Sequence, residues 1–175
     1  MNTLWMAFVL GCTSRGPMVG QPVHGSVMEA PAVALAGEVR DGRFRDRQHG
    51  WELPIPEGWV AHPGPDAGLM RVALEKVATQ VRVEVWVFPG GGDLSARRRE
   101  GCLWTFQEVG HFTALELDGP VHTATCVPED PDGPRIYATI ARRGGQILQV
   151  EVHAPADLLV AAKEEGDAIT RGLIW

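Results

Sequence analysis

The sequence predicts an α+β fold, a mostly antiparallel sheet with helices packed on it, and three observations predict it. First, Val81, Val83, Val85 and Val87 alternate with Gln80, Arg82, Glu84, Trp86 and Phe88, the period of two that marks a strand. Second, later apolar runs are joined by short breaker turns, Asp118-Gly119-Pro120 and Arg142-Arg143-Gly144-Gly145, which return a strand antiparallel to its predecessor. Third, Leu158, Leu159, Ala162, Ile169 and Leu173 recur at helical spacing near the end of the chain. Runs of strands with segregated helices imply a layered α+β domain.

Each element follows from local chemistry. Arg43–Arg47 reads as a strand, Gln48-His49-Gly50 as a turn and Trp51–Leu53 as the returning strand. Pro54 and Pro56 end it, because proline has no N–H for the ladder, and Glu57-Gly58-Trp59 turns the chain. Leu69–Glu75 places Val72 and Leu74 on one face. Gln80–Phe88 carries apolar groups on both faces where it ends in Trp86 and Phe88, which makes it a central strand. Pro89-Gly90-Gly91-Gly92 breaks it, and Asp93 suits a helix N-cap because its carboxylate accepts a free first-turn N–H. The spacing of Cys102, Leu103, Phe106 and Val109 predicts a helix from Asp93 to about Val109. Phe112–Leu117 and Val121–Val127 read as strands, and Ile136–Ala141 and Ile147–Val152 as a hairpin. Pro155 suits the first position of the last helix. In that helix Lys163-Glu164-Glu165 faces water, and Gly166 allows close packing on the sheet at a cost of about 1 kcal/mol in helix propensity.

The chain has 175 residues and a formal net charge of −6. That length suits one domain, and the acidic balance argues against a nucleic-acid partner, which attracts a basic patch. Glycine and proline are abundant, at 21 and 13, and many fall in the small-residue segment Thr13–Glu38. It has no strong period and reads as a flexible tether with a span of about 25–30 Å.

Leu4–Leu10 is apolar but too short to cross a bilayer, which takes about 20 residues. It leads into Val9-Leu10-Gly11-Cys12, which resembles the signal of bacterial lipoproteins, although Met1-Asn2-Thr3 lacks the usual basic residue. The resemblance implies a signal peptide over residues 1–11, a lipidated Cys12 that begins a tether over 12–38, and a single globular α+β domain over 39–175. It also implies export to the cell envelope and periplasm, attachment to the membrane through lipid, palmitate included, and an envelope protein as partner. Thr13, rather than Asp, after the cysteine favours the outer membrane over the inner. In that oxidising setting Cys102 and Cys126 read as a disulfide; closing a loop of about 25 residues would contribute roughly 3–4 kcal/mol. The alternative is two small buried hydrophobes that never meet.

Gly50-Trp51-Glu52-Leu53-Pro54-Ile55-Pro56-Glu57-Gly58-Trp59, together with the closing strand Ile147–Val152 and its helix, resembles the PsbP/DcrB-like superfamily over about residues 40–175. The resemblance implies an α/β/α sandwich and a non-catalytic accessory or binding role. It carries no ligand set onto these residues.

Candidate chemistry is sparse. His111, His122, Cys126 and His153 offer ligand types that zinc takes, with His122 and Cys126 on one strand face. They lack metal-ligand spacing, so no metal and no cofactor is expected. Gly90-Gly91-Gly92 lacks the ending of a phosphate loop and reads as a linker. Arg97-Arg98-Arg99 reads as a solvated helix face or a partner contact. Glu129-Asp130-Pro131-Asp132-Gly133 reads as a polar turn. Trp51, Trp59, Trp86 and Trp104 read as packing. The expectation is a lipid-anchored, non-catalytic binding or accessory module. The alternatives are an envelope hydrolase with an unlocated His-centred site, and a soluble cytoplasmic domain whose N-terminus matches by chance.

Overall fold

A computed structural model describes residues 33–90, 102–109, 121–130 and 132–174, all within one unit, Ala32–Trp175. A small antiparallel sheet has the order β1-β2-β3, with β1 at Gly37–Arg40, β2 at Arg43–Asp46 and β3 at Glu52–Pro54. A larger sheet holds β4 (Val60–Pro63), β5 (Met70–Lys76), β6 (Val81–Pro89), β7 (Cys102–Val109), β8 (Val121–Pro128), β9 (Arg135–Arg143) and β10 (Gln146–Ala154). Its order is β4-β5-β6-β10-β9-β8-β7, with every pair antiparallel. The chain leaves β6, builds the meander β7 to β10, and returns to pair β10 with β6, so the two central strands are far apart in sequence.

Two turns show how sequence fixes the register. Gly144 and Gly145 both take positive φ, +56° and +72°, and close the β9–β10 hairpin between Arg143 and Gln146. Asp41 and Gly42 do the same between Arg40 and Arg43, with φ of 51° and 70°. Such a two-residue turn needs positive φ at both positions, which is why Gly-Gly and Asp-Gly occupy them.

One helix, α1 (Leu159–Arg171), packs on one face of the large sheet. The main core lies between them: Val72 and Leu74 from β5, Val83 and Val85 from β6, Leu148, Val150 and Val152 from β10, and Ala162 and Ile169 from α1. Phe44, Trp51 and Leu53 of the small sheet and its return close its end, with the Phe44 and Trp51 rings 5.4 Å apart. A Cβ on Gly166 would come within 2.3 Å of Val152 Cγ2, so only glycine lets α1 lie this close. Lys76 of β5 donates to both carboxylate oxygens of Glu165, at 2.8 and 2.9 Å, and ties the helix down.

The two sheets are bolted by a buried ion pair. A register shift between Met70 and Val72 interrupts the β5–β6 ladder at Arg71, and such a bulge re-aims a side chain. Arg71 Nε donates to Asp46 Oδ2 at 2.7 Å, and its other nitrogens donate to the carbonyls of Asp66, Gly68 and Ala36. Asp46 Oδ1 accepts from the Gln48 and His49 amides and lies 2.9 Å from His49 Nδ1.

The fold corrects the expected architecture. It is mostly antiparallel β with a single helix among the described residues, not an α/β/α sandwich with helices packed on the sheet. The helix expected to reach Val109 is overturned at Cys102–Val109, which is strand β7, paired along its whole length with β8. Its apolar residues step at helical spacing at Cys102, Leu103, Phe106 and Val109, while Cys102, Trp104 and Phe106 fall at every second position, as in a strand. A full ladder and a high aromatic and β-branched content decide for the strand. Residues 91–101 and Phe112–Leu117 lie outside the described residues. The last helix begins at Leu159 rather than Pro155, and only Glu164 of Lys163-Glu164-Glu165 is fully exposed. Ala36, Gly37 and Glu38, within the segment read as tether, belong to the fold: the Ala36 amide donates to the Gly64 carbonyl and β1 starts at Gly37.

Candidate functional site

The β6–β10 ladder sets Glu84 directly opposite Glu151, Trp86 opposite Gln149 and Arg82 opposite His153. Because Val83 and Val152 face α1, alternation sends these polar side chains to the other face of the sheet. The row through the two glutamates runs Ala73, Glu84, Glu151, Ala138, Ala124 from β5 to β8. Small alanines thus flank two opposed carboxylates at the centre of the sheet. Like charges directly opposite are destabilising, so the donors around them matter.

His153 Nε2 lies 3.0 Å from Glu151 Oε2 and 3.5 Å from Glu84 Oε2. Gln149 Nε2 donates to Glu151 Oε1 at 2.6 Å. Trp86 Nε1 donates to Glu84 Oε2 at 3.1 Å, and Arg82 Nε pairs with Glu84 Oε1 at 3.0 Å. Glu84, Gln149, Glu151 and His153 are all buried. Burial works against a charged imidazole, but the hydrogen bonds and charges of Glu151 and Glu84 outweigh it and raise the His153 pKa above its usual value. The arrangement can hold a proton, orient a base or ligate a cation.

A second feature lies on the α1 face. The helix packs on β10 and part of β9, and among the described residues a cleft of about 570 Å³ lies beside it over β7 to β9. Its floor is a row of hydroxyls, Thr105, Thr125 and Tyr137, paired across β7, β8 and β9, with Thr123 beside it. Leu159, Val160 and Lys163 of α1 form the wall. Lys163 Nζ donates to Asp167 at 2.8 Å and sits 4.6 Å from the Tyr137 ring centre. The hydrogen bond to Asp167 raises its pKa.

The structure gathers His122, Cys126 and His153 on one face of the sheet but not at one site. His153 and Cys126 flank Ile136 on successive strands, and His122 lies across from Ile140, so the His153 and Cys126 backbones stand about 10 Å apart. Cys126 is fully buried. Cys102 is opposite Pro128 and Cys126 opposite Trp104, which places both cysteines on the same face of adjacent strands, two positions out of register. Trp51 and Trp59 are core residues, and Trp86 stacks on Phe88 with ring centres 6.1 Å apart. At 129–133 the Gly133 amide closes a turn on the Asp130 carbonyl. Cys12, His111, Arg97-Arg98-Arg99 and the side chains of Cys102 and Trp104 lie outside the described residues.

Glu84 and Glu151 escaped sequence reasoning because their meeting depends on the pairing of non-consecutive strands. The one local signal is the alternation Gln149, Glu151, His153 inside an otherwise apolar strand, which marks a polar stripe on a buried face.

A meandering antiparallel sheet with a C-terminal helix on one face defines a PsbP-like fold. The similarity is to the solution structure of cyanobacterial PsbP (CyanoP) from Synechocystis sp. PCC 6803, with a TM-score of 0.53 and 13% sequence identity, covering 86% of this chain and 99% of that one. At that identity the likeness carries the fold and no residue roles. No family model and no curated protein sequence matches the chain.

Proposed function

We propose that the chain is a non-catalytic binding or accessory module of the cell envelope, anchored through lipid on Cys12 and presenting its PsbP-like domain to an envelope protein partner. The observation that carries the binding role is the cleft between α1 and β7–β9, which offers hydroxyl donors and acceptors on a sheet floor beside a lysine. Support for the anchor is the Val9-Leu10-Gly11-Cys12 pattern, and Thr13 favours the outer membrane. The same reading pairs Cys102 with Cys126, supported by their shared face on adjacent strands. Cys12→Ser should move the protein from the membrane to the soluble fraction; unchanged membrane association would contradict the anchor. Mass measured before and after reduction should show the gain of two hydrogens if the cysteines are bridged. A photo-crosslinker at Val160, 74% exposed on the cleft wall, should trap an envelope protein, and Thr125→Trp, which fills the cleft, should abolish the adduct. An adduct indifferent to Thr125→Trp would contradict the cleft.

A second reading, an envelope hydrolase centred on His153, is favoured by the convergence of an imidazole with two carboxylates, which can orient a general base. Ester hydrolysis by the purified chain that disappears in His153→Gln would support it. None of the three groups lines the cleft under α1, which is why binding is the leading reading.

A further inference from the structure

We propose that Glu84, Glu151 and His153 form a binding site for a divalent first-row transition-metal cation of zinc's ligand preference, on the sheet face opposite α1. The three residues each offer one ligand atom, and these atoms all lie within 4.8 Å of one another. Ligand atoms about 2.0–2.2 Å from a tetrahedral zinc stand about 3.3–3.5 Å apart. The separations from His153 Nε2 to the two Oε2 atoms, 3.0 and 3.5 Å, need only small side-chain shifts to meet that spacing. Imidazole with carboxylate is a zinc-type donor set, whereas calcium and magnesium select oxygen alone.

A second observation points the same way. Gln149 is 3% exposed, and its Oε1 is buried without a hydrogen-bond partner. The amide is fixed against the cluster by its 2.6 Å bond to Glu151 Oε1. A buried acceptor left without a hydrogen bond is unfavourable. As a fourth ligand, or as acceptor for a metal-bound water, that oxygen would be satisfied. The outer partners are also in place: Gln149 holds the Oε1 of Glu151, while Arg82 and Trp86 hold Glu84. Such contacts fix ligand orientation. All three ligands stand on the paired central strands, with Ala73 and Ala138 as the row neighbours of the two glutamates.

The site is independent of the cleft and of lipidation. The test is titration of the chelator-treated full chain with Zn²⁺, followed by calorimetry and thermal unfolding, with Ca²⁺ and Mg²⁺ as controls. The expected result is one equivalent of Zn²⁺ bound and a raised unfolding midpoint, with no response to Ca²⁺ or Mg²⁺. Glu151→Gln and His153→Ala should abolish binding, Gln149→Ala should weaken it about 10–100-fold, and His122→Ala should leave it unchanged. Should the ligand variants fail to fold, Co²⁺ absorption of the wild type decides. Bands of a nitrogen–oxygen site without thiolate charge transfer support the assignment, and thiolate bands would move the metal to the cysteines and overturn it. No zinc binding by the wild type, or binding unaltered in the folded variants, would also overturn it.

Discussion

Two buried charged clusters sit in this domain and obey opposite rules. At the junction of the sheets, Arg71 meets the opposite charge of Asp46, with Asp66 Oδ1 3.6 Å from the guanidinium, and His49 and backbone carbonyls and amides take up the remaining donors and acceptors. On the large-sheet face turned away from α1, two buried carboxylates stand opposite each other, with His153 Nε2 near both, Arg82 and Trp86 on Glu84, and Gln149 on Glu151. Complementary charge with a full set of backbone partners is a structural fastening. Opposed like charge around a titratable imidazole is a site that takes up a cation, either a proton or a metal ion.

That contrast breaks most visibly at Arg71. Arg71→Met would leave the buried Asp46 without its guanidinium partner, held by His49 and two backbone amides, and should cost about 3–5 kcal/mol, read from urea unfolding. Adding Asp46→Asn should return part of the loss, because the stranded charge is gone; a double variant no better than the single one would remove the fastening role. Next in size is the contact that seats α1. Gly166→Val should cost about 1–3 kcal/mol by overpacking against Val152, and Val152→Ala should relieve it in the double variant. Smaller again is Glu84→Gln with chelator present. It removes one of two opposed charges, so its cost should stay within about 1 kcal/mol, far below that of Arg71→Met. Equal losses at the two sites would erase the distinction between the clusters.

The smallest effect is a pH dependence. The folded-state pKa of His153 is raised above the imidazole value of 6.5. Its contribution to stability is therefore fully present below about 6.5, the unfolded value, and is lost as pH rises through the folded one. With chelator present, unfolding midpoints of the wild type should fall across that window relative to His153→Gln. Parallel profiles would show that His153 does not carry the charge.

The comparison also shows what the sequence makes legible. The alternation of Val81–Val87 and the Gly144-Gly145 turn identified the central strand and the last hairpin, because period and turn chemistry are local. Asp41-Gly42 carries an equally local hairpin signal, but a tether drawn through Glu38 takes half of β1 and hides the strand. Cys102–Val109 misled because its apolar residues fit helix and strand alike, and only pairing with β8 decides. Both charged clusters were illegible as clusters. Arg71 reaches Asp46 through a bulge, and Glu84 meets Glu151 through a ladder between strands that are not consecutive in the chain. His153 is visible in the sequence as a ligand type, but the sequence does not show that its neighbours are glutamates on β6 and β10 rather than other histidines or a cysteine.

The most direct measurement is the unfolding midpoint of the full chain with and without one equivalent of Zn²⁺, for the wild type beside Glu151→Gln and Asp46→Asn. The expected result is a rise in the wild type, no rise in Glu151→Gln, and an undiminished rise in Asp46→Asn from its lower starting point. Equal shifts in all three, or none in the wild type, would contradict the division of the two clusters into a fastening and a cation site.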